Sequence, residues 1–377
     1  MSKKELAKGI IKSFSQIKDP RVTGRTDHKL IDIIVITICA VISSADTWED
    51  IALYGKTKID WLKEFLELPN GIPSHDTFNR VFSVLSPKKL QEAFLEWMQE
   101  VKKLTKGEVV PIDGKTLRRS YNSSSGKSAI HMVSAWGAKN GVVLGQVKTE
   151  EKSNEITAIP ELLNVLELTG CIVSIDAMGC QKKIAKEIID KDADYILALK
   201  GNQSTMHEQI KSYFEDAVVC GFENISYDSY EEMNKNHGRE EMRRYYVISD
   251  IDWLKGKLDW KNLETIVMVE SERYINGNTN YERRYYISSL KTDAKCFAEA
   301  IRNHWQIENS LHWVLDVAFR EDESRKRKGY SAENFAVIRH IALNLLRQEK
   351  SLKLGINGRR KKAGWDNEYL LKVLDVF

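Results

Sequence analysis

Proline is scarce in this chain of 377 residues, with six in all, and glycine numbers only 21. Long flexible linkers and a collagen-like chain are thereby excluded. Cysteine is sparse too. The five residues, Cys39, Cys171, Cys180, Cys220 and Cys296, are odd in number and include no CxxC pair. That spacing argues against a disulfide framework or a zinc ribbon and suits a reducing compartment. Long apolar runs are missing. The longest, LIDIIVITICAVI at 30–42, is too short to span a bilayer and carries Asp32, so it reads as a buried helix and no membrane partner is expected. The leading MSKKELAKGIIKSF lacks the apolar stretch and cleavage site of a secretory signal, and a cytoplasmic location is expected. A large charge excess is absent as well. Lys and Arg total 57 against 54 Asp and Glu, so the net charge of +3 does not by itself mark a nucleic-acid binder.

What is present is a globular composition, 42% hydrophobic and 29% charged, at a length that supports two or three domains. Residues 1–105 read as a helical domain. Ser74 or Asp76 can cap SHDTFNRVFSVLS, and Pro87 opens PKKLQEAFLEWMQEVKKL. The first thirty residues hold eight Lys/Arg against three Asp/Glu, which suits either DNA binding or a solvated helical surface. At 108 the pattern changes to short apolar strands. EVVPIDGKTLRRS ends its apolar run in Asp-Gly, and 129–138 and 141–150 form a hairpin around Lys139-Asn140. A helix at 155–168, a buried strand at 171–179, an amphipathic helix at 181–193 and a buried strand at 194–203 follow. The order β-β-β-α-β-α-β predicts an α/β fold, a mixed sheet flanked by helices, over 106–221. Residues 222–290 read as a β-rich insertion, and helices return at 294–319 and 331–350 around the charged loop REDESRKRKGY. Residues 351–377 read as a basic tail.

Three acids stand out by context. Asp113 and Asp176 each close a strongly apolar strand, at the rim where ligands of α/β sheets bind. A carboxylate there needs a compensating donor or cation, and two together would recruit a hard divalent ion. Two turn-forming aspartates are the plainer alternative. Glu308 lies on HWQIENSLHW, where His304, Glu308 and His312 recur every four residues on one helical face and Asp316 extends it. HExxH is absent, which disfavours zinc. His304 and His312 also have a plain role beside Trp305 and Trp313.

Taken together, IPSHDTFNRVF (72–82), PIDGKTLRRS (111–120), SIDAMGCQ (174–181), DYILALKGNQ (194–203) and HWQIENSLHWVLDVAFRED (304–322) resemble a bacterial insertion-sequence transposase of the DDE class, most closely the H-repeat-associated group. The resemblance covers nearly the whole chain. It implies an RNase H-like core, with a helical N-terminal domain before it and the β-rich insertion ahead of the last catalytic helix. Asp113, Asp176 and Glu308 match the family's acidic triad, which would hold two divalent metal ions, Mg²⁺ with Mn²⁺ able to substitute. The implied activity is DNA strand cleavage and strand transfer, with binding of terminal inverted repeats, by a homodimer that pairs two ends of double-stranded DNA. The Tyr, Arg and Lys that often accompany the family's Glu fall here on Ile301, His304 and Leu315, a departure at all three. Arg302, close by, and His304 are then the candidates for phosphate contact on this helix.

Basic clusters at Arg118-Arg119, Arg243-Arg244, Arg283-Arg284, Arg325 to Lys328 and Arg359 to Lys362 gather positive charge that the total conceals. Lys115, Arg118, Lys200, Asn202, Gln203, Arg325 and Arg327 are the further candidate DNA contacts. Trp253 and Trp260 in the insertion could stack on an unpaired base, or simply fill a small core. Two competing functions remain: a metal-dependent nuclease on the same core, and a DNA-binding protein descended from a transposase and devoid of catalysis.

Overall fold

The N-terminal helices follow their caps and their apolar spacing. Helix α1 (Lys8–Phe14) precedes α2 (Leu30–Ile42), which is apolar all round and buried along almost its whole length. Asp32, inside it, accepts a hydrogen bond from the Leu68 amide at 3.1 Å. Helix α3 (Trp48–Thr57) opens with a capping box between Thr47 and Asp50. Ser74 caps α4 (His75–Val84) by accepting from the Thr77 amide, and Pro87 begins α5 (Pro87–Val101). This computed structural model describes residues 8–22, 24, 26–101, 106–121, 128–149, 155–236, 239–275, 278–291 and 293–375. Part of the basic N-terminal segment, residues 1–7, 23 and 25, lies outside them.

Strands β1 (Val109–Leu117), β2 (Ile130–Gly137) and β3 (Val142–Lys148) form an antiparallel meander. Helix α6 (Glu155–Val165) leads to β4 (Ile172–Ile175), α7 (Lys182–Ile189) to β5 (Asp194–Leu199), and α8 (Ser204–Val219) comes next. Strands β1, β4 and β5 run parallel, in the order β3-β2-β1-β4-β5. This is the RNase H-like mixed sheet expected from the sequence. The β-rich region supplies β6 (Asp228–Asn236), β7 (Arg239–Ile248), β8 (Thr265–Ile275) and β9 (Asn278–Ser288). It is not a separate layer. Strand β9 pairs antiparallel with β5, so these four strands extend the core into one nine-stranded sheet.

The helix expected over 294–319 is interrupted. Helix α9 (Ala294–His304), capped by Asp293, gives way to a π-helical segment at Ile307–His312 and then to α10 (Trp313–Phe319). Helix α11 (Ser331–Gln348) packs on α2, α4, α5 and β3, tying the N-terminal helices to the sheet. The expected basic tail is instead helix α12 (Ile356–Trp365) and helix α13 (Asn367–Leu374). Arg360 of α12 is buried. Its guanidinium donates to the carbonyls of Val41 and Ala318 and to Asp46, and it lies over the Phe319 ring. Among the described residues no helix is long and apolar enough to cross a membrane.

Candidate active site

Asp113 does not end its strand. Strand β1 runs on to Leu117 against β2; its pairing with β4 is what stops after Ile112. The register Ile112↔Ile175 therefore puts Asp113 and Asp176 on the next level of two adjacent parallel strands, where the sheet opens. Asp176 starts a tight turn, its Oδ1 accepting from the amides of Met178 at 3.0 Å and Gly179 at 3.4 Å. Gly179 has no room for a side chain, because a Cβ would lie 2.3 Å from Ile175. Two residues that sequence alone offered as DNA contacts clip this turn in place. Asn202 donates to the Ala177 carbonyl at 2.6 Å, and Gln203 donates to the Cys180 carbonyl at 2.9 Å.

Glu308 arrives from the π-helical segment with an exposed side chain. The widened turn separates the three residues that α-helical spacing would align. His312 Nδ1 stands 3.5 Å from Asp113 Oδ2, whereas His304 Nδ1 meets Ser174 Oγ at 3.1 Å beneath β4. Burial pushes both imidazoles down to about 4, so both are neutral at neutral pH. His312 is thus a neighbour of the first acid rather than a ring stacked beside Trp313.

The electrostatics are those of crowded acids. Burial pushes the Asp113 carboxyl up to about 7; the Gly114 amide opposes this, while the charges of Glu155, Asp176 and Glu308 add to it. Asp176 is raised by burial and by Glu155, against its two turn amides and Lys200. Glu155, the first residue of α6, was not among the acids that sequence context singled out. Its signal was topological: β3 runs parallel to β1, so the helix that comes after β3 starts at the same rim.

Several candidate DNA contacts are engaged elsewhere. The Lys115 ammonium is held by Asp316, by Glu321 at 2.9 Å and by Asp322 at 3.8 Å, a cluster that ties β1 to the segment after α10. Asp316 is therefore committed to Lys115. Arg302 pairs with Glu232 at 2.8 Å. Arg243, Arg244, Arg283 and Arg284 pair with Glu232, Glu231, Glu270 and Glu282, an ion ladder on the long strands. Lys326 is buried over Phe335, Arg327 donates to the Arg119 carbonyl, and Arg359 closes the end of α11 by donating to the Leu346 and Glu349 carbonyls. Arg118, Lys200 and Arg325 remain exposed, although Arg118 also reaches Asp322. Trp260 is 3% exposed and belongs to the core, and Trp253 stacks on Tyr213 at 4.3 Å.

Beside Asp176 lies a cavity of about 150 Å³, bounded by Ser174, Lys200, Arg284, Tyr286, His304 and Trp305. Arg284 lies 4.7 Å over the Trp305 ring. Among the described residues no three His, Cys, Asp or Glu side chains already form an ion cage. The donor chemistry nevertheless fits a hard divalent cation. The donors are carboxylate oxygens, and burial, with the neighbouring carboxylates adding to it, raises the Asp113 carboxyl to about 7, a cost that a bound cation would offset.

Two family profiles match the chain, "DDE_Tnp_1-associated" at residues 11–98 and "Transposase DDE domain" at residues 104–345. "Putative transposase YncI" of Escherichia coli O157:H7 is 47% identical over 366 residues, 96% of this chain and 93% of that protein. "H repeat-associated putative transposase YhhI" of Escherichia coli K12 is 45% identical over 373 residues, 97% of this chain and 98% of that protein. A solved piggyBac transposase synaptic complex with hairpin DNA aligns at a TM-score of 0.44 and 13% identity, over 98% of this chain and 77% of that chain.

Proposed function

The chain belongs to the transposase DDE-domain family, and from that premise we propose that it cleaves DNA strands and transfers them through Asp113, Asp176 and Glu308. The observation that carries this reading is the place of Asp113 and Asp176, each one residue beyond the last paired residues Ile112 and Ile175 at the open sheet rim, with Glu308 adding to the rise of the Asp113 carboxyl. These three side chains would hold two divalent cations, Mg²⁺ or Mn²⁺. When bound, such ions activate an oxygen nucleophile and stabilise the departing oxygen of an in-line phosphoryl displacement.

The chain's own residues prepare the site. The turn amides of Met178 and Gly179 fix Asp176, and Asn202 and Gln203 hold that turn. His312, neutral, lies against Asp113 without adding a charge that would repel a cation. Exposed Lys200, Arg118 and Arg325 supply positive charge for the phosphate backbone, and this makes DNA affinity fall with salt. Double-stranded DNA, bearing the ends of the element and the target, is the substrate, and a dimer would hold two ends.

The test is a cleavage and strand-transfer assay on DNA carrying the element's ends, with Mg²⁺ or Mn²⁺. Asp113→Asn, Asp176→Asn and Glu308→Gln should each lower cleavage by several orders of magnitude while leaving DNA binding intact. An Asp176→Asn protein that cuts at the normal rate would refute the assignment. Cleavage without strand transfer would favour the simple nuclease.

A further inference from the structure

We propose that Glu155 is a positioning residue of this site, a fourth carboxylate that acts through Asp113 and Asp176 and is itself fixed by His131 and Thr116. The proposal rests on the triad being a cation site. Its basis is a chain of contacts across three elements. Thr116 on β1 lies opposite His131 on β2. Thr116 Oγ1 meets His131 Nδ1 at 2.9 Å, and His131 Nε2 meets Glu155 Oε1 at 2.8 Å. A neutral imidazole with its proton on Nε2 satisfies both contacts, accepting from the threonine hydroxyl and donating to the carboxylate.

Room for this chain is made by the residue after the first acid. A Cβ on Gly114 would lie 2.2 Å from Glu155 Oε1 and 2.3 Å from His131 Nε2. The glutamate–histidine pair therefore sits directly on the β1 backbone, one residue from Asp113. Successive side chains of a strand point to opposite faces. Glu155 and Gly114 share the face toward α6, and Asp113 points to the face that carries His312. A fixed negative charge on the α6 side repels the Asp113 and Asp176 carboxylates toward the Glu308 side, where a cation would join all three. Glu155 Oε1 is held against the β1 backbone one residue from Asp113, on the face away from His312.

The deciding experiment titrates the full-length, metal-free protein with Mn²⁺, reading free Mn²⁺ by electron paramagnetic resonance. The Mg²⁺ dependence of DNA cleavage and the thermal midpoint in chelator are measured in parallel. Replacing residues behind a metal's direct ligands typically weakens metal affinity by about 10–100-fold. Glu155→Gln should weaken Mn²⁺ binding by about 10-fold and raise the Mg²⁺ midpoint of cleavage by a similar factor, with the rate recovering at saturating Mg²⁺. Gly114→Ala should reproduce that shift, because the new methyl group displaces Glu155. His131→Gln, which retains a donor, should shift it less than His131→Ala. Unchanged Mn²⁺ affinity in Glu155→Gln would overturn the proposal, even with a lowered thermal midpoint, and would leave the triad standing. If the unaltered protein takes up no Mn²⁺, the triad reading fails and Glu155 fails with it.

Discussion

At the scale of single residues, the site is a problem of like charge. Asp113 is half-buried, and the cost of that burial, to which Glu155, Asp176 and Glu308 add, pushes its carboxyl up to about 7, far above the ordinary aspartate value. A carboxyl whose pKa is raised by folding favours the folded state below its ordinary pKa, and that contribution is lost as pH rises through the folded value. Wild-type stability relative to Asp113→Asn, measured by denaturation in chelator, should therefore fall between about pH 4 and pH 7, by a few kcal/mol in all. The comparison cancels the neutral histidines His304 and His340, whose depressed values act in the opposite direction in that range. A flat difference would show that Asp113 is not crowded. Asp113 and Asp176 were legible in the sequence because an acid inside an apolar strand needs an explanation. Glu155 and His131 were not, because their meeting depends on which face each side chain takes, which pairing register decides.

At the scale of elements, two local departures matter. The Glu308 helix is not continuous, and no α-helical spacing rule reveals the π-helical segment that separates Glu308 and His312 from His304. The Lys115 cluster then anchors the segment after α10 to β1. Burial raises the Glu321 carboxyl, but Lys115 and Arg339 outweigh it and hold the group down to about 2. Lys115→Met would leave Asp316 and Glu321 without their shared cation. Breaking such a buried pair costs about 3–5 kcal/mol, which urea denaturation would register. A loss below about 0.5 kcal/mol would place the lysine in solvent, free for DNA as its sequence context suggested. The long strands teach the same lesson. Their arginines read as a basic patch, but cross-strand pairing matches Arg244 with Glu231 and Arg283 with Glu270. Charge in sequence becomes charge in space only after the strands are paired.

At the scale of the whole molecule, one sheet runs from the meander through the β-rich strands, and one set of helices unites the chain's two ends. Hydrophobic order predicted the β-β-β-α-β-α-β core well. The joining of β9 to β5 was hidden, because a strand's own sequence does not record which strand it pairs with. The final helices were hidden by composition, since the run Arg359 to Lys362 suggests a solvated tail although Arg360 is 1% exposed. Arg360→Leu would leave the buried Ala318 carbonyl and the Asp46 carboxylate without this donor and should cost about 3 kcal/mol in thermal or chemical unfolding. A neutral result would detach the C-terminal helices from the fold's stability. The central claim is that Asp113, Asp176 and Glu308 form one divalent-cation site. Anomalous diffraction from Mn²⁺-soaked crystals tests it most directly. The prediction is manganese peaks bounded by these three carboxylates and lost in Asp176→Asn. Manganese bound elsewhere, with the rim between β1 and β4 empty, would contradict it.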